Sequence, residues 1–389
     1  MNASLDSSSL ASAGFEALRR GDAGAARDLF KRAVLAGAPA DAWFGLALAH
    51  RKLGAAEEEG AALEQALARD ASHLPALIAE GDLYLRKGDE RAASAYYATA
   101  IRAASRQSSL PTQWRTEIQR VQGVYQALMR KFEAELLGAL TARGLGEPGT
   151  QRVSHALDLL LGKRQVFLQQ PKYFYFPELP HIEFYERQHF AWARALEHRA
   201  REIRAELEAI LATQAGFVPY IQRAPNRPVS PNPLTDSLDW GACYLIQDGA
   251  EVSQNAARCP NTMAALAQVP LCRIAGRTPS VLFSMLRPGT RIRPHHGFTN
   301  ARLICHLPLI VPAQCGLRVG NETRAWREGE LTVFDDSIEH EAWNLSGEIR
   351  VVLLFDIWRP ELTTQEQELV AAILEAAKAS PAPQQLWRD

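Results

Sequence analysis

The 389-residue chain lacks the features of a secreted, membrane-spanning or nucleic-acid-binding protein. Its five cysteines are odd in number and include no Cys-x-x-Cys pair, which argues against a disulfide framework or a cysteine zinc site. No apolar run approaches the ~18 residues of a membrane span, and the N-terminus has no signal-peptide pattern. A formal net charge of −1 argues against a nucleic-acid partner. We expect a soluble, cytoplasmic protein of two or three domains.

The first hundred residues carry a repeat. Gly21, Gly54 and Gly88 are spaced by 33 and 34 residues, and each follows a helical pattern. A small residue lies seven positions before each glycine and a bulky one nine positions after it: Gly14, Ala47 and Gly81, then Phe30, Leu63 and Tyr97. Stacked helix pairs need this alternation, because small residues allow close approach and bulky ones fill the groove. The pattern resembles the tetratricopeptide repeat, to which we assign residues 1–107; an Ala-rich bundle is the alternative.

The rest of the chain divides at residue 170. Residues 108–170 are assigned to a helical bridging segment, with helices over 112–163 and a break at Gly144–Gly149. Residues 171–389 begin aromatic and proline-rich, continue with a helix over about 188–213, and end with a helix at about 363–379. The strands expected between these helices are Ala242–Gln247, Ser280–Leu286, Arg302–Val311, Leu317–Val319, Leu331–Phe334 and Ile349–Ile357. Short strands at this spacing favour a barrel or sandwich, so the fold class is multidomain α+β.

Four of the ten histidines fall in the β-rich part, and the other six show no ligand spacing. These four are His295, His296, His306 and His340. Two histidines on separate strands of a barrel can bind one side of a metal and leave other positions open, as Fe(II) oxygen chemistry requires. Zinc would need a further protein ligand.

Three motifs around these histidines carry a family resemblance. They read His-Gly-x-Thr-Asn from position 296, Asp-Asp-Ser-x-Glu-His-Glu from position 335 and Trp-x-Pro-Glu-Leu from position 358. In this order and spacing they resemble the aspartyl/asparaginyl β-hydroxylases, which are Fe(II)- and 2-oxoglutarate-dependent dioxygenases. The resemblance covers about residues 171–362. It implies a double-stranded β-helix (jelly-roll or cupin-like) with Fe(II), 2-oxoglutarate and O2 as cofactor and cosubstrates.

The resemblance also implies roles for particular residues. His295 and His340 match the family's iron ligands and are therefore also the expected catalytic residues. Ser284 and Arg350 match the residues that hold 2-oxoglutarate, with His306 and Trp240 as further contacts. Serine and a planar guanidinium suit a carboxylate.

Some neighbouring positions depart from the animal members or leave two interpretations open. Most of the wider superfamily completes its iron site with a carboxylate two residues after the first histidine, where this chain has Gly297. The β-hydroxylases also lack this carboxylate. Ile304 replaces an arginine of the animal enzymes, and we expect Arg302 to point to the opposite face of its strand. Asp335 and Asp336 either orient a ligand imidazole or shape the turn before His340. His296 is treated as a neighbour that lines the entrance.

The implied reaction is β-hydroxylation of aspartyl or asparaginyl residues in a peptide or protein that the repeats present. The same chemistry on a lipid, free amino acid or carrier-bound molecule is the first alternative. An inactive repeat scaffold is the second.

Overall fold

The computed structural model describes residues 6–107, 109–144, 151–213, 216–223 and 232–379. The chain forms two compact units, Met1–Leu161 and Gly162–Asp389. Within the described ranges, no helix has the length and apolar character of a membrane span. The expected break at Gly144–Gly149 opens with a turn at Gly144, and its remaining residues lie outside the described part.

The first unit is helical where it is described, and its first helices pack in sequential pairs. The helices are α1 (Ser7–Arg19), α2 (Ala23–Leu35), α3 (Ala40–Lys52), α4 (Ala56–Arg69), α5 (Leu74–Arg86), α6 (Glu90–Ser105), α7 (Thr112–Ala142) and α8 (Gln151–Leu160). The fully buried ring of Phe30 lies where a Cβ at Gly14 or Gly45 would collide with it. Tyr97 occupies the same position over Gly81. The repeating small and bulky residues therefore set the close packing of the helix pairs.

The second unit contains two antiparallel sheets and several helices. Its strands are β1 (Phe184–Tyr185), β2 (Val218–Pro219), β3 (Trp240–Gln247), β4 (Ala250–Glu251), β5 (Val281–Leu286), β6 (Arg291–His295), β7 (Arg302–Ile310), β8 (Cys315–Val319), β9 (Glu322–Arg324), β10 (Thr332–Phe334), β11 (His340–Asn344) and β12 (Arg350–Trp358). Its α-helices are α9 (Ala193–His198), α10 (Ala200–Thr213), α11 (Ser253–Ala256), α12 (Pro260–Leu266) and α13 (Thr364–Ala379). The helix expected over 188–213 is thus interrupted: a 3-10 turn at Arg187–His189 precedes α9, and Arg199 separates α9 from α10.

From β5 to β12 the chain passes to the other sheet after every strand except β8, because β8 and β9 are neighbours in the smaller sheet. The larger sheet has the order β1-β10-β7-β12-β5-β3-β2, with β4 paired to β3, and the smaller has the order β6-β11-β8-β9. This alternation is the pattern expected of a double-stranded β-helix. The predicted fold class, an α+β chain with helical repeats before the sheets, is confirmed.

The larger sheet is buried on both faces. Odd-numbered positions of β7 and β12, such as Leu303 and Phe355, pack with α9 and α10 through Leu196 and Leu207. Even-numbered positions face the smaller sheet and form a second core with residues such as Leu317. The space between the two sheets is therefore enclosed, and polar groups on its walls are shielded from water.

Candidate metal and anion site

The pairing of β6 with β11 brings His295 and His340 side by side. They are register partners, and their ring centroids lie 4.1 Å apart. Each Nδ1 lies near the carbonyl oxygen two residues earlier, 2.9 Å from that of Arg293 and 3.0 Å from that of Ile338. A carbonyl only accepts hydrogen bonds, so each Nδ1 donates, and Nε2 keeps its lone pair in the neutral ring. Burial lowers the pKa of both imidazoles, which favours the neutral form that binds metals.

The position two residues after His295 leaves no room for a side chain. A Cβ at Gly297 would collide with the carboxylate of Asp336, and the Gly297 amide donates to the Asp336 carbonyl oxygen at 2.6 Å. Among the described residues, no group of three or more His, Cys, Asp or Glu is arranged to hold a metal ion. The two neutral imidazoles of His295 and His340 suit a metal that accepts nitrogen ligands and keeps other positions open.

Arg302 lies on the inner face of the larger sheet, so the expectation that it points away was wrong. Residues 302, 304 and 306 are two apart, and side chains at this spacing share one face of a strand. Arg302 forms ion pairs with Asp336 at 3.1 Å and with Asp356 at 2.9 Å. Burial raises the pKa of Asp336 to about 6, and Arg302 opposes this rise. The guanidinium is thus neutralised by two carboxylates beside Ile304.

Arg350 is a buried cation without an anionic partner among the residues that the structure describes. It is 1% exposed, and burial lowers its pKa to about 9, so it stays protonated at neutral pH. Its Nη1 donates to the Ser284 carbonyl oxygen at 3.3 Å, and its guanidinium carbon lies 4.6 Å from the centre of the Trp326 ring. Its Nε has no hydrogen-bond partner within the described ranges. Because burying an unpaired charge is costly, this geometry indicates an anion-binding site.

The remaining predicted contacts lie around Arg350 in the space between the sheets. Trp240 donates from Nε1 to the Ser284 hydroxyl at 3.2 Å, and its ring centroid lies 6.5 Å from that of His295. The ring of His306 lies 5.7 Å from Trp326, and the buried Nδ1 of His306 and Nε1 of Trp326 have no partner within the described part. The structure thus brings together all six residues predicted for the site: Trp240, Ser284, His295, His306, His340 and Arg350.

Among the described residues, Asp335 and Asp336 contact the turn before His340 and two arginines. One carboxylate oxygen of Asp335 accepts from the amide and hydroxyl of Ser337, and the other binds Arg359 at 2.8 Å. Asp336 pairs with Arg302, as described above. His296 is half-buried beside His295.

Sequence reasoning missed several residues of the site. Trp326 lies under Arg350, Tyr220 stacks on Trp240 with ring centroids 3.9 Å apart, and Gln169 hydrogen-bonds to Asp335. Each belongs to a segment without a metal or anion motif, so only the folded structure shows its position. Of these three residues, Trp326 could most readily have been suspected from the sequence, because it lies in the segment directly before the motif that contains His340.

Two enclosed sheets, a histidine pair and a buried guanidinium define a β-sandwich protein with a candidate metal and anion site, preceded by helical repeats. Residues 197–360 match the family model of aspartyl/asparaginyl β-hydroxylase, and residues 40–73 and 74–107 each match the tetratricopeptide repeat. Both predicted resemblances are thereby confirmed.

Named relatives support the same hydroxylase class. The mouse aspartyl/asparaginyl beta-hydroxylase is 38% identical over 142 residues, which are 36% of this chain and 19% of that protein. Its human counterpart is 34% identical over 183 residues, 46% of this chain and 23% of that protein. An ornithine lipid ester-linked acyl 2-hydroxylase of Rhizobium tropici is 36% identical over 181 residues, 45% of this chain and 60% of that protein. The match thus spans about a fifth of the length of these two mammalian proteins.

Proposed function

We propose that this chain is an Fe(II)- and 2-oxoglutarate-dependent dioxygenase that hydroxylates the β-carbon of aspartyl or asparaginyl residues in a peptide or protein. The observation that carries the proposal is the buried Arg350, which has no anionic partner within the described ranges and shares an enclosed space with the His295–His340 pair. A dicarboxylate that binds a metal at one end needs a cation at the other. When bound, Fe(II) with 2-oxoglutarate and O2 supplies the oxidising power for C–H hydroxylation, with succinate and CO2 as by-products.

The side chains around this space would have two roles, metal binding and binding of the 2-oxoglutarate carboxylate. His295 and His340 are the residues that would hold Fe(II), through the Nε2 atoms left free by their backbone contacts. Arg350 and Ser284 would bind the distal carboxylate of 2-oxoglutarate, with His306 and Trp240 as further contacts. The two sheets exclude water, which strengthens the ionic contact of Arg350 with a bound carboxylate.

A second candidate keeps the chemistry and changes the substrate to a lipid acyl chain. The Rhizobium tropici relative, an acyl 2-hydroxylase, favours this candidate. An inactive scaffold is disfavoured, because a buried guanidinium without a ligand would only destabilise the fold.

We further propose that the repeats of residues 1–107 present the substrate to a dioxygenase domain of residues 171–389, with residues 108–170 as the bridge. Stacked helix pairs offer a concave surface for an extended peptide, and binding energy from remote contacts can orient the reacting residue. The two tetratricopeptide matches support the presence of such a surface.

The proposed reaction is tested by succinate formation. Full-length protein is incubated with Fe(II), ascorbate and 2-oxoglutarate, with and without peptide pools that contain Asp or Asn, and a His340→Ala variant is the control. We expect succinate from the wild type, increased by a peptide pool, and none from the control. If the wild type forms no succinate under any of these conditions, the proposed function is wrong. Stimulation by lipids in place of peptides would favour the second candidate.

A further inference from the structure

Residues 169–176, called the clasp below, run alongside the loop that follows His295 and the loop that precedes His340. The Gln170 amide donates to the carbonyl oxygen of Ser337 at 2.7 Å, and the Lys172 amide donates to that of Gly297 at 2.8 Å. Ser337 lies three residues before His340, and Gly297 lies two residues after His295. The clasp is therefore hydrogen-bonded to both loops through its backbone.

The side chain of Gln169 joins the same two loops. It is 5% exposed. Its Nε2 donates to the Asp335 carboxylate at 2.7 Å, and its Oε1 accepts from the Asn300 side-chain amide at 2.9 Å. Asn300 lies five residues after His295, and Asp335 lies five residues before His340. The side-chain amide of Gln169 thus links the two loops at positions that are each five residues from a histidine of the pair.

Both ends of this bridge are fixed by further buried contacts. Asp335 forms an ion pair with Arg359 at 2.8 Å, and both side chains are fully buried. Asn300 accepts from the Phe176 amide at 2.6 Å and donates to the Phe176 carbonyl oxygen at 2.7 Å. Because the bridge needs a donor at one end and an acceptor at the other, an amide fits. A carboxylate at position 169 would face the carboxylate of Asp335.

We propose that Gln169 is a positioning residue that holds the loops of His295 and His340 in register and thereby sets the metal affinity of the pair. This inference rests on the proposed function, because it takes the two histidines to be metal ligands. Residues that orient metal ligands from behind typically change metal affinity by roughly 10–100-fold when replaced. Gln169 acts through the loops rather than on the imidazoles, so we expect an effect near the lower end of that range.

The inference is tested by Mn(II) binding to full-length variants, measured by electron paramagnetic resonance. Gln169→Leu and Gln169→Glu should bind Mn(II) roughly tenfold more weakly than the wild type. The matched control is Gln165→Leu, since Gln165 is exposed and its contacts to Asn321 use backbone atoms. The control should bind Mn(II) as the wild type does. Wild-type affinity in a folded Gln169→Leu variant would overturn the inference.

A double variant separates positioning from general destabilisation. Gln169→Glu combined with Asp335→Asn exchanges donor and acceptor, so the bridge can form again, although the ion pair to Arg359 and the Gln169 hydrogen bond to the Pro180 carbonyl oxygen are lost. We expect this double variant to bind Mn(II) more tightly than Gln169→Glu alone, even where urea unfolding shows that it is no more stable. If Mn(II) affinity follows stability across the series instead, Gln169 has a structural role only.

Hydrogen–deuterium exchange on the wild type tests the same coupling without a variant. If the clasp promotes metal binding, metal binding must by linkage stabilise the clasp. Mn(II) should therefore slow exchange of the Gln170 and Lys172 amides, and unchanged exchange would contradict the coupling. A wild type that binds no Mn(II) would contradict the proposed function as well. A wild type that binds Mn(II) without any effect on the clasp contradicts this inference alone.

Discussion

Replacing Arg350 with methionine should increase stability while it removes ligand binding. The guanidinium is 1% exposed, and burial lowers its pKa well below the ordinary value, to about 9. Each pKa unit corresponds to about 1.4 kcal/mol, so the buried charge costs the ligand-free fold up to about 5 kcal/mol. The contacts to Ser284 and Trp326 offset part of this cost. Methionine has a similar length and no charge, so we expect a net gain in the free energy of unfolding of about 1–3 kcal/mol.

The pH dependence of this gain follows from the direction of the pKa shift. Because the pKa of Arg350 is lower in the folded state, the penalty is fully present below the folded value of about 9. It disappears only as the pH rises towards the unfolded value. The stabilisation by Arg350→Met should therefore be the same at pH 6 and pH 8.

Urea unfolding and calorimetric titration test both parts of this prediction. Without ligand, Arg350→Met should unfold at higher urea than the wild type. With Mn(II) present, it should show no heat of 2-oxoglutarate binding. The control Arg204→Met, on the surface of α10, should change stability by less than about 0.5 kcal/mol and leave 2-oxoglutarate binding intact. An Arg350→Met variant that is less stable than the wild type and binds 2-oxoglutarate equally well would refute the reasoning.

Three further substitutions or deletions test other parts of the account. His295→Ala should abolish Mn(II) binding while His296→Ala retains it, and equal losses measured by electron paramagnetic resonance would contradict the choice of ligand. Burial raises the pKa of Glu80 to about 7, so ionising this side chain costs the folded state stability as the pH rises from about 4.5 to 7. The urea midpoint of Glu80→Gln should therefore fall less than that of the wild type between pH 5 and pH 8, and parallel curves would disprove this. Deleting residues 1–161, the whole first unit, should preserve Mn(II) and 2-oxoglutarate binding and lower turnover of a protein substrate. A deletion that ended at residue 107 would instead expose the face of α7 that packs on α6. Undiminished turnover, with light scattering showing the loss of a dimer, would instead assign the repeats to self-association.

The helical repeats could be predicted because their packing rule is local in the sequence. Phe30 lies against Gly14 within one helix pair, and Tyr97 lies against Gly81 in the same way. A small residue and a bulky residue sixteen positions apart are visible without any knowledge of the fold. The candidate ligands His295 and His340 could likewise be proposed from the sequence, because one adjoins and the other lies in a motif that resembles the family.

The strands that carry the histidine pair were not predicted. Arg291–His295 contains one aliphatic residue and a proline, and it forms a strand because it pairs with His340–Asn344. Its conformation therefore depends on tertiary pairing rather than on hydrophobic alternation. For the same reason, the isolation of Arg350 from any described carboxylate and the bridge made by Gln169 are properties of the folded chain.

Transfer of isotopically heavy dioxygen into a peptide tests the central claim most directly. A mixture of cellular peptides is incubated with full-length protein, Fe(II), ascorbate, 2-oxoglutarate and heavy O2, and the products are sequenced by mass spectrometry. We predict that one heavy oxygen atom appears on an aspartyl or asparaginyl residue with the wild type and on none with His295→Ala. Consumption of 2-oxoglutarate with no heavy oxygen in any peptide, or with the label in a lipid fraction, would contradict peptide β-hydroxylation.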